Sequence, residues 1–250
     1  MKIAYVAPGV MEEAELARRA ALLQAWAAPD TEIAFHAVSE GPRSIESAYE
    51  EYLSVIPAAQ KMVELEAQGF DAAILGCACD PGVNAMRELT QQMLIVGAGA
   101  ASYLTAAMLG NRFAVLTIDR SMIQTCYSLS HAAGCSEKLV AVEPVEIPVL
   151  ELAQDRAGTL DRLAEIGGRI LQKKRADTLV LGCMSMGFLN VAEALTERLG
   201  VPCVNPCKAA LQFAQALTGM GLLHSKAAFP LPTKLRKDAT MTIGDLYVRR

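Results

Sequence analysis

The chain says nearly the same thing twice, in Asp71-Ala-Ala-Ile-Leu-Gly-Cys77 and in Asp177-Thr-Leu-Val-Leu-Gly-Cys183. Each is a short, continuous apolar run with a polar start and a glycine stop, the pattern of a strand covered on both faces of a parallel sheet. A cysteine just past such a strand stands at the carboxyl edge of the sheet, where open α/β folds bind their ligands. Two of them in repeated halves can face each other across one cleft. That is how a pair of acid/base thiols would be built.

The repeat reaches beyond the cysteines. Lys2-Ile-Ala-Tyr-Val-Ala7 resembles Arg112-Phe-Ala-Val-Leu-Thr117, and Glu88-Leu-Thr90 resembles Glu193-Ala-Leu-Thr196 at a similar distance past each Gly-Cys, so the halves read as copies of one unit. Short β-rich runs alternate with longer amphipathic ones, the signature of βα units. Strands are expected near 2–7, 32–37, 72–76 and 93–97, and again near 112–117, 139–143, 178–182 and 201–204. Helices are expected over 12–28, 46–69, 81–92, 99–109, 120–134, 149–175, 187–199 and 206–219. The predicted fold class is α/β: two similar lobes related by a pseudo-twofold, each a four-stranded parallel sheet flanked by helices, with the active site in the cleft between them. Residues 1–97 with 207–250 form the first expected lobe and 98–206 the second. From about 225 on, Phe229-Pro-Leu-Pro-Thr-Lys-Leu-Arg-Lys237 reads as a solvated tail or an arm on a neighbouring subunit.

Composition narrows the function. With 250 residues, 52% of them hydrophobic, the chain is large enough to bury a core without staples. A net charge of −4 and 5% aromatic residues supply neither a basic field nor stacking platforms, which argues against nucleic acid as a partner. No apolar run has the ~18 to 20 residues of a membrane span, and the start is too short for a signal-peptide core. A cytoplasmic protein without a membrane partner is expected. Seven cysteines, an odd number, fit a reducing compartment and free thiols.

Inverting a carbon acid means removing a proton from one face and returning one to the other. Cys77 and Cys183 suit that task, because a thiol near a helix N-terminus has its pKa drawn down toward neutrality and either partner can then start as base. Cys126, Cys135, Cys203 and Cys207 read as small buried hydrophobes. Cys77-x-Cys79 alone does not make a metal site: no histidine lies near it and no paired CxxC occurs. His36, His131 and His224 fall in no nucleophile arrangement and no G-x-S-x-G is present. Gly97-Ala-Gly99 lacks the third glycine of a dinucleotide loop and reads instead as close helix packing or an active-site wall. The turns after the strands offer backbone N–H groups for an enolate oxygen, above all Gly182-Cys183-Met184-Ser185, with Thr117 and Ser185 as side-chain helpers or helix caps.

Gly41-Pro-Arg-Ser-Ile-Glu-Ser47, Cys77-Ala-Cys-Asp-Pro-Gly82 with Arg87-Glu-Leu89, Leu109-Gly-Asn-Arg-Phe113 and Leu181-Gly-Cys183 together resemble the hydantoin and allantoin racemase branch of the aspartate/glutamate racemase superfamily, in order over roughly residues 1 to 220. The resemblance implies a cofactor-independent racemase or epimerase, a small hydantoin-like substrate and a homo-oligomer, with Cys77 and Cys183 as catalytic acid and base on opposite sides of the stereocentre. Pro8, Gly9, Ser44, Ala78, Cys79, Asp80, Thr117, Met184 and Ser185 are the expected substrate contacts. No metal and no cofactor are implied. The chain departs from the family in two places: Ala7-Pro8-Gly9-Val10 replaces an Asn-Pro-Asn-Thr type loop, and Gly97 to Ala101 lacks a Glu often found there.

Three other readings compete. A cofactor-free decarboxylase of the same superfamily needs only one thiol, whereas this chain has both. A two-cysteine cis–trans isomerase of maleate type would use one thiolate as nucleophile and the other thiol as proton donor. A small-molecule-binding protein without turnover would have the same two-lobed shape.

Overall fold

The computed structural model describes residues 1–238 and 240–246. Residues 239 and 247–250, which the expected first lobe includes, lie outside the described residues. The strands are β1 (Lys2–Ala7), β2 (Glu32–Ala37), β3 (Ala72–Leu75), β4 (Leu94–Gly97), β5 (Phe113–Thr117), β6 (Leu139–Pro144), β7 (Thr178–Leu181) and β8 (Cys203–Val204). They form two parallel four-stranded sheets, ordered β2-β1-β3-β4 and β6-β5-β7-β8. The second order repeats the first position for position.

The repeat is kept down to single hydrogen bonds. Val6 is paired with Leu75 and Leu116 with Leu181, and the Gly76 and Gly182 amides donate to the Val6 and Leu116 carbonyls, each at 2.8 Å. Both Gly-Cys turns therefore leave their sheets at the same rung of the ladder. The aspartates that open the two motifs also match. Asp71 Oδ2 accepts the Lys2 amide at 2.7 Å, and Asp177 Oδ2 accepts the Asn111 amide at 2.9 Å, tying the start of each central strand to its neighbour.

Helices cover the sheets: α1 (Glu13–Trp26), α2 (Ala48–Ala67), α3 (Val83–Leu89), α4 (Ala98–Leu109), α5 (Ile123–Ala132), α6 (Arg156–Lys174), α7 (Met184–Phe188), α8 (Ala192–Leu199) and α9 (Pro206–Gly219), with α10 (Thr233–Lys237) in the tail. The chain crosses between sheets twice. Helix α4 packs on β7 and β8, α9 packs on β3 and β4, and the two helices pack on each other. Asn205 starts α9 with its Oδ1 accepting the Cys207 amide at 2.9 Å, while its Nδ2 donates to the Gly187 carbonyl at 2.9 Å.

Short α7, directly after Cys183, sends Met184 and Phe188 into the core built on β1, β3 and β4. The Phe188 ring meets Tyr5 at 5.5 Å, Phe35 at 6.0 Å and Trp26 at 6.1 Å between centroids. Arg18 Nη1 donates to the Phe188 carbonyl at 3.2 Å.

Several expected boundaries move, each for a local reason. The helix expected over 149–175 begins at Arg156, because Asp155 Oδ1 accepts the Gly158 amide at 2.8 Å and caps it there; residues 149–155 are turns. The helix expected over 187–199 is split at Asn190, which is left-handed at φ 54°. Arg156 holds the break by donating to the Leu189 and Asn190 carbonyls at 3.0 and 3.1 Å. The tail also differs from a solvated arm over its first part. His224 Nε2 accepts the Ile95 amide at 2.8 Å, so the tail crosses the open edge of β4, and Lys226 Nζ donates to the Arg87 carbonyl at 2.7 Å and to that of Thr90. No described helix is long and apolar enough to cross a membrane.

Truncating Phe188→Ala removes a fully buried aromatic from between the two halves. It is expected to cost about 3–5 kcal/mol of unfolding free energy, with Phe188→Leu costing less than half as much, as read by urea denaturation of the full chain.

Candidate active site

A cavity of about 630 Å³ opens where the carboxyl edges of the two sheets meet. The first sheet contributes the turns after β1 (Pro8, Gly9) and β3 (Gly76 to Cys79), and the second contributes the matching turns after β5 (Thr117, Ile118) and β7 (Gly182 to Ser185). Ser44 and Ile45 reach in from the loop before α2. Of the residues expected from the sequence, Cys77, Cys183, Pro8, Gly9, Ser44, Ala78, Cys79, Thr117, Met184 and Ser185 all line this cavity.

The surroundings of the two Gly-Cys turns explain their glycines and set their thiols. A Cβ on Gly76 would come within 2.4 Å of Tyr5 Cε1, and Tyr5 is itself fully buried, so only glycine lets the Cys77 turn settle on that ring. Cys183 occupies the position before α7. Its thiol is raised, not drawn down toward neutrality as the sequence suggests: burial is the largest influence, the Met186 and Ser185 amides and Arg19 offset only part of it, and the nearby Cys77 adds to it. The amides of this turn thus act on the sulfur as well as being open to the cavity.

The two expected side-chain helpers are likewise engaged. Ser185 Oγ accepts from Arg19 Nη2 at 3.0 Å. Thr117 is buried beside Cys126, whose thiol is drawn down chiefly by Cys79, against the effect of burial, with Tyr103 and Thr117 adding to the pull. Cys79 is pushed well up in return, through Cys126 first and Cys77 second. Cys126 is buried as expected, yet it is tied into this cluster beneath the Cys77 turn. Among the described residues no three His, Cys, Asp or Glu side chains gather as metal ligands.

The family model described as Asp/Glu/Hydantoin racemase matches residues 13–214. The chain belongs to that family. It is 31% identical over 197 residues to a hydantoin racemase of Pseudomonas sp. (strain NS671), covering 79% of this chain and 78% of the relative. Its fold superposes on allantoin racemase from Klebsiella pneumoniae with a TM-score of 0.86 at 28% identity, over 93% and 94% of the two chains. The maleate isomerase Iso from Pseudomonas putida S16 shares the fold, with a TM-score of 0.66 at 18% identity over 89% and 93%. The protein is accordingly an enzyme of the racemase type.

Asp80 is where this racemase departs from the site expected for it. Its carboxylate does not line the cavity but lies behind the Cys77 turn, accepting the Gly99 and Ala100 amides at 2.8 Å each. It caps α4, whose own N-cap residue, Gly97, has no side chain to do so. The glycines of Gly97-Ala-Gly99 make room for it: a Cβ on Gly97 would stand 2.3 Å from Asp80 Oδ2, and one on Gly99 would stand 2.2 Å from the Ala78 carbonyl oxygen. Close helix packing is therefore what that motif provides.

The sequence reading missed the face of α1. Glu15, Arg18 and Arg19 line the cavity, as do Met122, Val149, Leu150 and Leu152. The one signal for the first group is the Glu15/Arg19 spacing of four, which in a sequence reads as an ordinary exposed helix pair.

Burial pushes the Asp80 carboxyl up from 3.8 to about 6, against the opposing pull of the Ala100 and Gly99 amides and of Arg87. A raised carboxyl contributes stability that is fully present below its unfolded value and lost as pH rises through the folded one. The unfolding free energy of the parent is therefore expected to fall relative to Asp80→Asn between pH 4 and 6 and to run parallel to it above pH 7. Asp80→Ala, which orphans two buried amides, is expected to lose about 1–3 kcal/mol at pH 7. Paired denaturation curves across pH check both.

Proposed function

We propose that this racemase interconverts the enantiomers of 5-monosubstituted hydantoins without a cofactor, Cys77 and Cys183 serving as its acid/base pair. The observation that carries this reading is that the two thiols end equivalent strands of the two sheets and line one cavity. The same reading divides the chain into lobes of 1–97 with 207–250 and of 98–206, one thiol from each.

The hydantoin C5 proton is acidic because its loss gives an enolate delocalised into the ring carbonyl. One sulfur, as thiolate, takes that proton. The other, as thiol, gives its own proton to the opposite face. The product leaves inverted with a hydrogen from the enzyme, the two sulfurs have exchanged states, and solvent resets them, so nothing is consumed. Ser44, Pro8, Gly9, Ala78, Cys79, Thr117, Met184 and Ser185 are the proposed walls of the ring site.

Solvent deuterium exchange at C5 tests the pair. Cys77→Ser and Cys183→Ser are each expected to lower racemisation by about 10²–10⁴-fold while each retains exchange with only one enantiomer. Exchange unaffected in both variants overturns the assignment, and maleate conversion without hydantoin turnover would assign the isomerase reading instead.

The cavity lining includes a set of aliphatic side chains, Val10, Met11, Ile45, Met122, Val149, Leu150 and Leu152, alongside the polar Glu12, Arg43 and Ser44. An alkyl or benzyl substituent gains from burial against the aliphatic set, whereas a polar ureido substituent gives up water there and keeps its hydrogen bonds only by reaching Glu12, Arg43 or Ser44. 5-Benzylhydantoin is expected to show at least about tenfold higher kcat/KM than allantoin by polarimetry, since one or two buried methylenes suffice for that ratio.

A further inference from the structure

Arg19 reaches from α1 to the cavity wall with its side chain only 12% exposed. Its Nε donates to Glu15 Oε1 at 2.6 Å, its Nη2 donates to Ser185 Oγ at 3.0 Å, and its guanidinium lies 4.8 Å from the Phe188 ring centroid. Glu15 is held ionised, its carboxyl lowered to about 2 by hydrogen bonds from Arg18 first and Arg19 second. Arg19 is thus fixed on three sides, and one of its partners is the residue whose amide reaches the Cys183 sulfur.

Besides Arg19, the titratable groups facing Cys183 are Cys77, Tyr5 from β1 and Cys207 from α9. Burial pushes Tyr5 and Cys207 far up, so both are neutral at pH 7. Positive charge on this face comes from Arg19, backed by the Glu15–Arg18 pair. The turn after Cys77 carries the Cys79 thiol and the Asp80 carboxyl instead. A thiol that has lost part of its water, as the half-buried Cys183 has, holds its proton more tightly unless a fixed cation offsets that loss.

We propose that Arg19, clamped between Glu15 and Ser185, is a positioning residue that makes the half-buried Cys183 serviceable as a base by fixing both a positive charge and the Ser185 turn on its side of the cleft. This rests on the reading of Cys77 and Cys183 as the acid/base pair. Its guanidinium acts through Cys183 and not on the substrate.

The test is site-resolved alkylation. The full chain is treated with iodoacetamide across pH 7 to 11.5, and modification of Cys77 and Cys183 is followed separately by peptide mass spectrometry. Arg19→Gln is expected to move the Cys183 half-point up by about one pH unit, a tenfold loss of thiolate at pH 7, and to leave Cys77 in place. Arg19→Lys, which keeps the charge but cannot bridge both partners, is expected to shift it about half as far, and it carries the test should the Gln variant fail to fold. The acid limb of kcat/KM is expected to follow the Cys183 half-point, by the same factor for both enantiomers because their equilibrium constant is one. A Cys183 half-point that stays put, or a Cys77 half-point that moves with it, overturns the proposal. Alkylation needs no turnover: a shifted Cys183 in a chain that does not racemise hydantoins sinks the substrate assignment and leaves the role of Arg19 standing.

Discussion

The insertion of Phe188 into the aromatic cluster of Tyr5, Phe35 and Trp26 is the contact on which the site depends. Cys183 belongs to the second sheet by its strand, yet the helix that follows it is buried in the core of the first. Five residues of helix leave no slack. The position of the Cys183 sulfur relative to Cys77 is therefore set by hydrophobic packing between the halves, where a shift of a fraction of an ångström already costs contact energy.

Two further devices hold the Cys77 side to the same precision. The Tyr5 ring that meets Phe188 also forms the floor under Gly76, so one side chain touches both the Cys77 turn and the helix that follows Cys183. Behind the Cys77 turn, Asp80 grips the first amides of α4, a helix packed on the second sheet. Each turn is thus anchored in the sheet it did not come from. Packing and capping that cross the duplication in both directions keep the cleft at one width, which is what opposed proton transfer on a small ring requires.

Much of this was legible in the sequence, and physics says which parts. Buried parallel strands must be continuous apolar runs, so β1, β3, β5 and β7 are visible as such, and the repeated Gly-Cys marks where they end. Helix ends were less visible because their signals are tertiary. The start of α6 depends on Asp155 turning back to its amides, and the break at Asn190 on Arg156 bonding two carbonyls some thirty positions away. Asp80 looked like a ligand because an aspartate at a strand end usually faces the cleft; only the missing cap at Gly97 reveals its other partner. Arg19 was invisible for the opposite reason: on a helix, Glu15 and Arg19 look like a solvated pair, and their burial comes from Phe188 and Ser185, about 170 residues downstream.

The same crossing contacts create an asymmetry that the duplication would not have. The two strands and the two glycines are equivalent and both thiols are half-buried, but Cys183 opens a helix packed into the core of the first sheet, while Cys77 enters a loop that shares its space with Cys79 and Cys126. On the two-thiol mechanism proposed above, both sulfurs serve in both states, so a thiolate too costly on one side slows both directions equally. Unequal surroundings then call for unequal charge. Arg19 and the Ser185 and Met186 amides lie on the Cys183 side, so the departure from twofold symmetry in the packing is accompanied by one in the electrostatics.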